Sequence, residues 1–241
     1  MKSEYRKLLK AFKLIKPRFK YEDYVAFHSM VGNEYNNDIM FVGRALNGWN
    51  WKFNLKKYEN TDLDKFYNEI HANGMQVNKE DQLNWVRDHW KTEKKYQTSR
   101  SAFWRTIQKI IVNSNTGTET NWNQKIVWSN LFKISNINGN PRTSLIKLTK
   151  VENRDLLNAE ILHYNPKFIV FLTGIDWFKH LFDIDDRNKI TTNNFIEYRS
   201  SFNINNKHFE YVVAPHPQGK KESIMASYII NELKEYIKSN S

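Results

Sequence analysis

Asn165-Pro166-Lys167-Phe168-Ile169-Val170-Phe171-Leu172-Thr173-Gly174 decides how the rest of the chain is read. The stretch Phe168–Leu172 is apolar at every position, β-branched or aromatic at most, and shows no period-two alternation. Such a run reads as a strand buried on both faces, the signature of a parallel sheet with helices on either side. Three further runs have the same character. Ile39-Met40-Phe41-Val42 leads into Gly43-Arg44-Ala45-Leu46-Asn47-Gly48-Trp49, Ile126-Val127-Trp128 into Ser129-Asn130-Leu131-Phe132-Lys133, and Tyr211–Ala214 into Pro215-His216-Pro217-Gln218-Gly219. In open α/β sheets ligands bind where parallel strands end, so these clusters are the place to look for chemistry.

Helical patterns fill the intervals. Leu8, Leu9, Phe12 and Ile15 share one face of an amphipathic N-terminal helix ended by Pro17. A helix opens at Thr61-Asp62-Leu63-Asp64, and Asn73-Gly74 marks the turn after it. A second is expected near Lys79–Lys94, with Leu83, Val86 and Trp90 on one face, and a third over Ser99–Asn113. Asn153–His163 reads as a helix stopped before Pro166, Ile175–Phe182 as a short one, and Glu222–Lys238 as the last. Phe195–Glu210 reads as a hairpin turning at Asn205-Asn206. Alternating strands and helices predict an α/β fold: a three-layer α/β/α sandwich around a central, mostly parallel four-stranded sheet. The 241 residues form one domain, 1–241, with a basic N-terminal helical extension (1–37) and an insertion at about 50–98.

Composition narrows the function. The chain holds no cysteine, which excludes disulfides, thiolate zinc sites, iron–sulphur clusters and cysteine nucleophiles, and fits a reducing, cytoplasmic setting. Lys and Arg number 37 against 26 Asp and Glu, a formal charge of +11 that favours a polyanionic partner such as nucleic acid. Eight Trp among 15% aromatic residues can stack bases, although aromatics also fill cores. The first twenty residues are broken up by Lys2, Arg6, Lys7, Lys10 and Lys13, so no secretory leader is expected. No apolar run approaches the roughly 20 residues needed to span a bilayer, and no membrane association is expected.

Several familiar motifs fail. Gly219-Lys220 is preceded five residues earlier by Ala214 where a phosphate loop has glycine, and Lys221 follows where it has Ser or Thr. Gly43-Arg44-Ala45 lacks the spaced glycines of a dinucleotide fingerprint. The seven histidines show no paired ligand spacing, so no metal or other cofactor is expected. A Gly-x-Ser-x-Gly elbow is absent as well.

What remains resembles the uracil-DNA glycosylase superfamily, from about Asp38 to the C-terminus. Phe41-Val42-Gly43-Arg44-Ala45-Leu46-Asn47-Gly48 resembles the first strand and catalytic loop. Val127-Trp128-Ser129-Asn130-Leu131-Phe132-Lys133, followed by Asn140-Pro141-Arg142, resembles the base-recognition strand and its loop. Asn165–Gly174 resembles the Pro-Lys-apolar-Gly strand, and His216-Pro217-Gln218 the His-Pro-Ser loop. Ser99-Arg100-Ser101-Ala102 fits the helix before the second strand. The resemblance implies a monofunctional DNA glycosylase that hydrolyses the N-glycosidic bond of an everted base and leaves an abasic site. DNA is then the partner, and no obligate protein partner is implied.

On that reading His216 donates a hydrogen bond to the leaving base, the oxyanion-hole principle applied to a nucleobase. Its plain alternative is a capping or core histidine. Asn47 positions the attacking water, a part that Asn50 could equally play, and it could also be a turn or cap residue. Gly43 admits the base, Asn130 reads its edge through a paired donor and acceptor, and Trp49 stacks on it. Arg44, Arg142, Gln218, Lys220 and Lys221 meet DNA phosphates, unless the lysines are simply solvated.

The chain also departs from the family. Leu46 stands where proline is usual, Gln218 replaces serine, and the 44–50 loop carries no carboxylate. The 50–98 insertion beside the catalytic loop suggests a pocket enlarged or lidded for a bulky modified pyrimidine. Some prokaryotic relatives remove glucosylated hydroxymethylcytosine from phage DNA in antiviral defence; uracil is the other substrate the resemblance implies. Two other classes stay open: a non-catalytic nucleic-acid-binding protein on the same fold, and an enzyme acting on free nucleosides.

Overall fold

The computed structural model describes residues 1–46, 51–74, 81–93, 96–137, 139–189 and 193–239, apart from the side chains of residues 74, 186 and 239. In chain order the elements are α1 (Lys2–Phe12), β1 (Asp23–Ala26), β2 (Met30–Val31), β3 (Ile39–Gly43), β4 (Phe53–Asn54), α2 (Leu63–Gly74), α3 (Asn84–Asp88) and α4 (Ala102–Asn113). They continue with β5 (Ile126–Asn130), β6 (Ile134–Asn136), α5 (Thr143–Tyr164), β7 (Phe168–Leu172), α6 (Ile175–Phe178), β8 (Tyr198–Ile204), β9 (Lys207–Ala214) and α7 (Glu222–Ser239).

The main sheet is mostly parallel and runs β2-β5-β3-β7-β9-β8. Its inner four strands are parallel and are the four read from sequence. The expected four-stranded sheet is therefore corrected to six strands, because β2 and β8 add an antiparallel strand at each edge. The expected hairpin joins the sheet because its second arm continues without a break into Tyr211–Ala214. At its tip Asn205 and Asn206 have φ of 49° and 62°, the left-handed pair that a two-residue turn demands.

Alternate residues of each inner strand face opposite cores. Ile39, Phe41, Trp128, Val170 and Val212 pack with Ile107 and Ile110 of α4 and with Met225 and Ile229 of α7. Met40, Val42, Val127, Phe171 and Val213 pack with Leu157 and Ile161 of α5 and with Phe178 of α6. Because both faces are covered, the central run of each strand is apolar at successive positions and the alternation disappears.

A second, three-stranded sheet runs β4-β1-β6. Leu8 and Phe12 of α1, Tyr24 of β1, Phe53 of β4, Phe66 of α2 and Leu156 of α5 share its core. Residues 1–37 are thus helical over α1 but also supply β1 and the edge strand β2. Part of the 50–98 stretch packs with them, through β4 and α2. Leu46, which follows β3, accepts a hydrogen bond from Ser135 Oγ through its carbonyl at 3.2 Å, and Phe53 pairs with Tyr24. Among the described residues no helix is long and apolar enough to cross a membrane.

Candidate functional site

From β3 the chain passes to β5 on one side, then returns over α5 to β7 on the other, so the strand order reverses beside β3. A crevice is expected outside the strand ends at such a point. One is present, with a volume of about 360 Å³, at the ends of β3, β7 and β9. Arg44 lines it from the first strand, Gly174 from the second, and Pro215 and His216 from the third.

His216 owes its place to its neighbours. Pro215 and Pro217 supply no N–H, so the chain leaves the β9 ladder here and turns across the strand end. The imidazole is partly buried, and its Nδ1 accepts a hydrogen bond from the Gln218 backbone N–H at 3.3 Å. The ring proton therefore belongs on Nε2. Burial, and secondarily the charge on Arg44, push the imidazole pKa down to about 4. At neutral pH His216 is an uncharged hydrogen-bond donor through Nε2.

Arg44 is held by its Nε, which donates to the Thr173 carbonyl at 2.6 Å, and its guanidinium lies 5.5 Å from the Trp177 ring centre. Gly174 has a φ of +79°, which favours glycine. A β-carbon there would sit 3.4 Å from Arg44 Nη2, 3.8 Å from Glu197 Oε2 and 4.0 Å from the His216 backbone nitrogen. Polar groups from three chain segments thus surround one point in the cleft. Gln218 and Lys220 form its exposed rim, and Lys221 is exposed next to it before α7.

Asn130 lies elsewhere. It ends β5 directly opposite Gly43 of β3, and a β-carbon on Gly43 would come within 2.5 Å of Asn130 Oδ1 and 3.3 Å of Phe103. The glycine thus makes room for the amide, which is 2% exposed and whose Nδ2 has no hydrogen-bond partner among the described residues. Asn130 does not line the His216 cleft. Gly43→Ala should push the amide and Phe103 apart and cost about 1–3 kcal/mol, the usual range for overpacking. Urea titration checks this; an unchanged midpoint would show that the backbone yields instead.

Directly behind Asn130 is a charged network that the sequence did not announce. Lys133 Nζ, with 0% side-chain exposure, donates to Glu160 Oε2 at 2.8 Å, Ser129 Oγ at 2.6 Å and the Asn130 carbonyl at 2.6 Å. Ser129 Oγ in turn donates to Glu160 Oε2 at 2.7 Å. Burial pulls the lysine pKa down and Glu160 opposes the shift.

The remaining expected site residues are placed as follows. Arg142 precedes α5, pairs with Glu22 and lies over the Phe19 ring at 4.2 Å, outside the cleft. Asn47 and Trp49, like Asn50, lie outside the described residues. Among the described residues no cluster of His, Asp or Glu could hold a metal ion.

The sequence reading missed two carboxylates, Glu197 and Asp176, which line the cleft. The Asn205-Asn206 turn fixes the hairpin register, Tyr198 opposite Val213, and so puts Glu197 beside the end of β9. That register was the available signal. A larger open groove of about 830 Å³ lies elsewhere, with Asp183, Asp185, Ser200 and Tyr211 in its wall. Its lining among the described residues includes no Lys, Arg or His, and its acidic groups would repel phosphate. The His216 cleft is therefore the better candidate for nucleic-acid chemistry. The chain matches no protein-family model and no curated protein.

Proposed function

We propose that this protein is a monofunctional DNA glycosylase of the uracil-DNA glycosylase type, built as a three-layer α/β/α sandwich and acting in the cytoplasm. The observation that carries the reading is the neutral His216 in a strand-end cleft, its Nδ1 engaged by the Gln218 amide. In the proposed reaction a nucleotide is everted from DNA into the cleft. The Nε2–H of His216 donates to a carbonyl oxygen of the base as the bond from C1′ to nitrogen breaks and charge gathers on the base. Water completes the sugar, leaving an abasic strand with an intact backbone. Arg44, Lys220 and Lys221 supply positive charge at and beside the mouth, in keeping with the net +11.

The proposed substrate is a pyrimidine, uracil or a bulkier modified base such as glucosylated hydroxymethylcytosine in phage DNA. Incubation with uracil duplexes and with modified phage DNA, followed by mass spectrometry of released bases, tests both the activity and the choice. Release from neither would defeat the proposal. The released base should leave an alkali-labile strand that borohydride does not trap on the protein.

One observation favours a second reading, a non-catalytic nucleic-acid-binding protein on the same fold: the Asn130 amide is buried outside the His216 cleft. Binding without base release is its signature. For either reading, Lys220→Ala and Lys221→Ala should each reduce the slope of log affinity against log salt by about 1. Fluorescence anisotropy on a short duplex measures that slope, and an unaltered slope in both variants would remove these lysines from the interface.

A further inference from the structure

Hydrolysis of an N-glycosidic bond needs a group to orient and deprotonate water, and the 44–50 loop contains no Asp or Glu. Two carboxylates stand in the His216 cleft instead. Asp176 is a poor candidate: its side chain is 82% exposed and it is paired with Lys179 at 2.5 Å. Glu197 is different in each respect. It is partly buried and, among the described residues, forms no ion pair. Its backbone N–H is tied to the Val213 carbonyl at 2.8 Å, and its Oε2 accepts the Ile175 N–H at 2.7 Å. The main chain is thus fixed by the end of strand β9 and one carboxylate oxygen by the start of helix α6. That oxygen, Arg44 Nη2 and the His216 backbone nitrogen all fall within 4.0 Å of the position that a β-carbon on Gly174 would take.

We infer that Glu197 is the general base of the reaction, in place of the carboxylate that the β3 loop lacks; the inference rests on the glycosylase reading. Water gives a proton to the Glu197 carboxylate as its oxygen bonds to C1′. The electron pair of the C1′–N bond leaves with the base, whose charge His216 meets through Nε2–H. The proton on Glu197 then passes to solvent or to the departed base, so atoms and charge balance without any further reactant. Arg44, Asp176, His216 and Lys220 are the charged and titratable groups that face Glu197 across the cleft.

A merely structural alternative exists, since the Ile175 hydrogen bond caps the short helix α6. Glu197→Gln separates the two, because the amide oxygen still accepts that hydrogen bond but takes up no proton. The full-length chain is assayed by single-turnover base release on the DNA that the wild type processes best. The expected result for Glu197→Gln is a fall of about 10²–10³-fold, within the range for general-base removal, with melting temperature and DNA affinity unchanged. A Glu197→Gln rate within threefold of wild type, beside an active wild type, overturns the inference and leaves the glycosylase reading standing. A wild type that releases no base overturns both.

Discussion

His216→Ala should reduce single-turnover base release by about 10²–10³-fold while DNA affinity stays within a few-fold of wild type, the loss expected when one preorganised donor to a developing anion is removed. The separation of the two effects follows from geometry. The imidazole sits inside the cleft, whereas Gln218 and Lys220 occupy its exposed rim and Lys221 lies beside it. His216→Gln, which keeps a donor, should recover part of the rate. The pH dependence carries a second test. With the imidazole pKa near 4, lowering pH from 7 to 5 leaves His216 uncharged, so no inflection near its ordinary 6.5 should trace to this residue. Stability behaves otherwise. Below about 6.5 the unfolded chain takes up a proton that folded His216 refuses until about 4, so this group destabilises the fold as pH falls through that window. A rate profile in which an inflection near 6.5 disappears on mutation of His216 would contradict the assignment.

Glu160→Gln should destabilise the protein by about 3–5 kcal/mol, the penalty for stranding one charge of a buried pair. Lys133 has no route to solvent: its side chain is 0% exposed, and its partner Glu160 is 3% exposed. Without the carboxylate, the ammonium is left with neutral acceptors alone: Ser129 Oγ, the Asn130 carbonyl and the introduced amide oxygen. Lys133→Met strands Glu160 in the same way, with Ser129 as its remaining donor. The double variant Lys133→Met, Glu160→Gln removes both charges and should be markedly less destabilised than the sum of the singles. Urea denaturation of the four proteins gives the coupling energy. Additive losses would mean that the pair contributes nothing as a pair.

The sheet was legible wherever burial on both faces erased alternation. β3 and β7 were readable because both are apolar on both sides, and β5 through its run Ile126-Val127-Trp128. β9 was divided in the reading because Lys207, His208 and Glu210 are polar in the arm that projects beyond the sheet's core. β2 and β4 have two residues each, too few for any period to register. The first half of α5 was hidden for another reason. Thr149 and Asn153 face the core, satisfied by Leu145 and Thr149 within the same helix, and these buried polar side chains blur the apolar stripe. The helix expected near Lys79–Lys94 is confined, among the described residues, to Asn84–Asp88. In the site, prolines on both sides marked His216, whereas the close approach of Asn130 to Gly43 had no sign in the sequence. Glu197 carries no local sign, because its position depends on a register that only the paired strand supplies.

Leu46, just past β3, is anchored to Ser135, and Phe53 is paired with Tyr24. Ser135 and Tyr24 belong to the small sheet β4-β1-β6, whereas His216 follows the last parallel strand of the main sheet. Loss of pairing in the small sheet would therefore reach the segment that follows β3 before it reached the strand that carries His216.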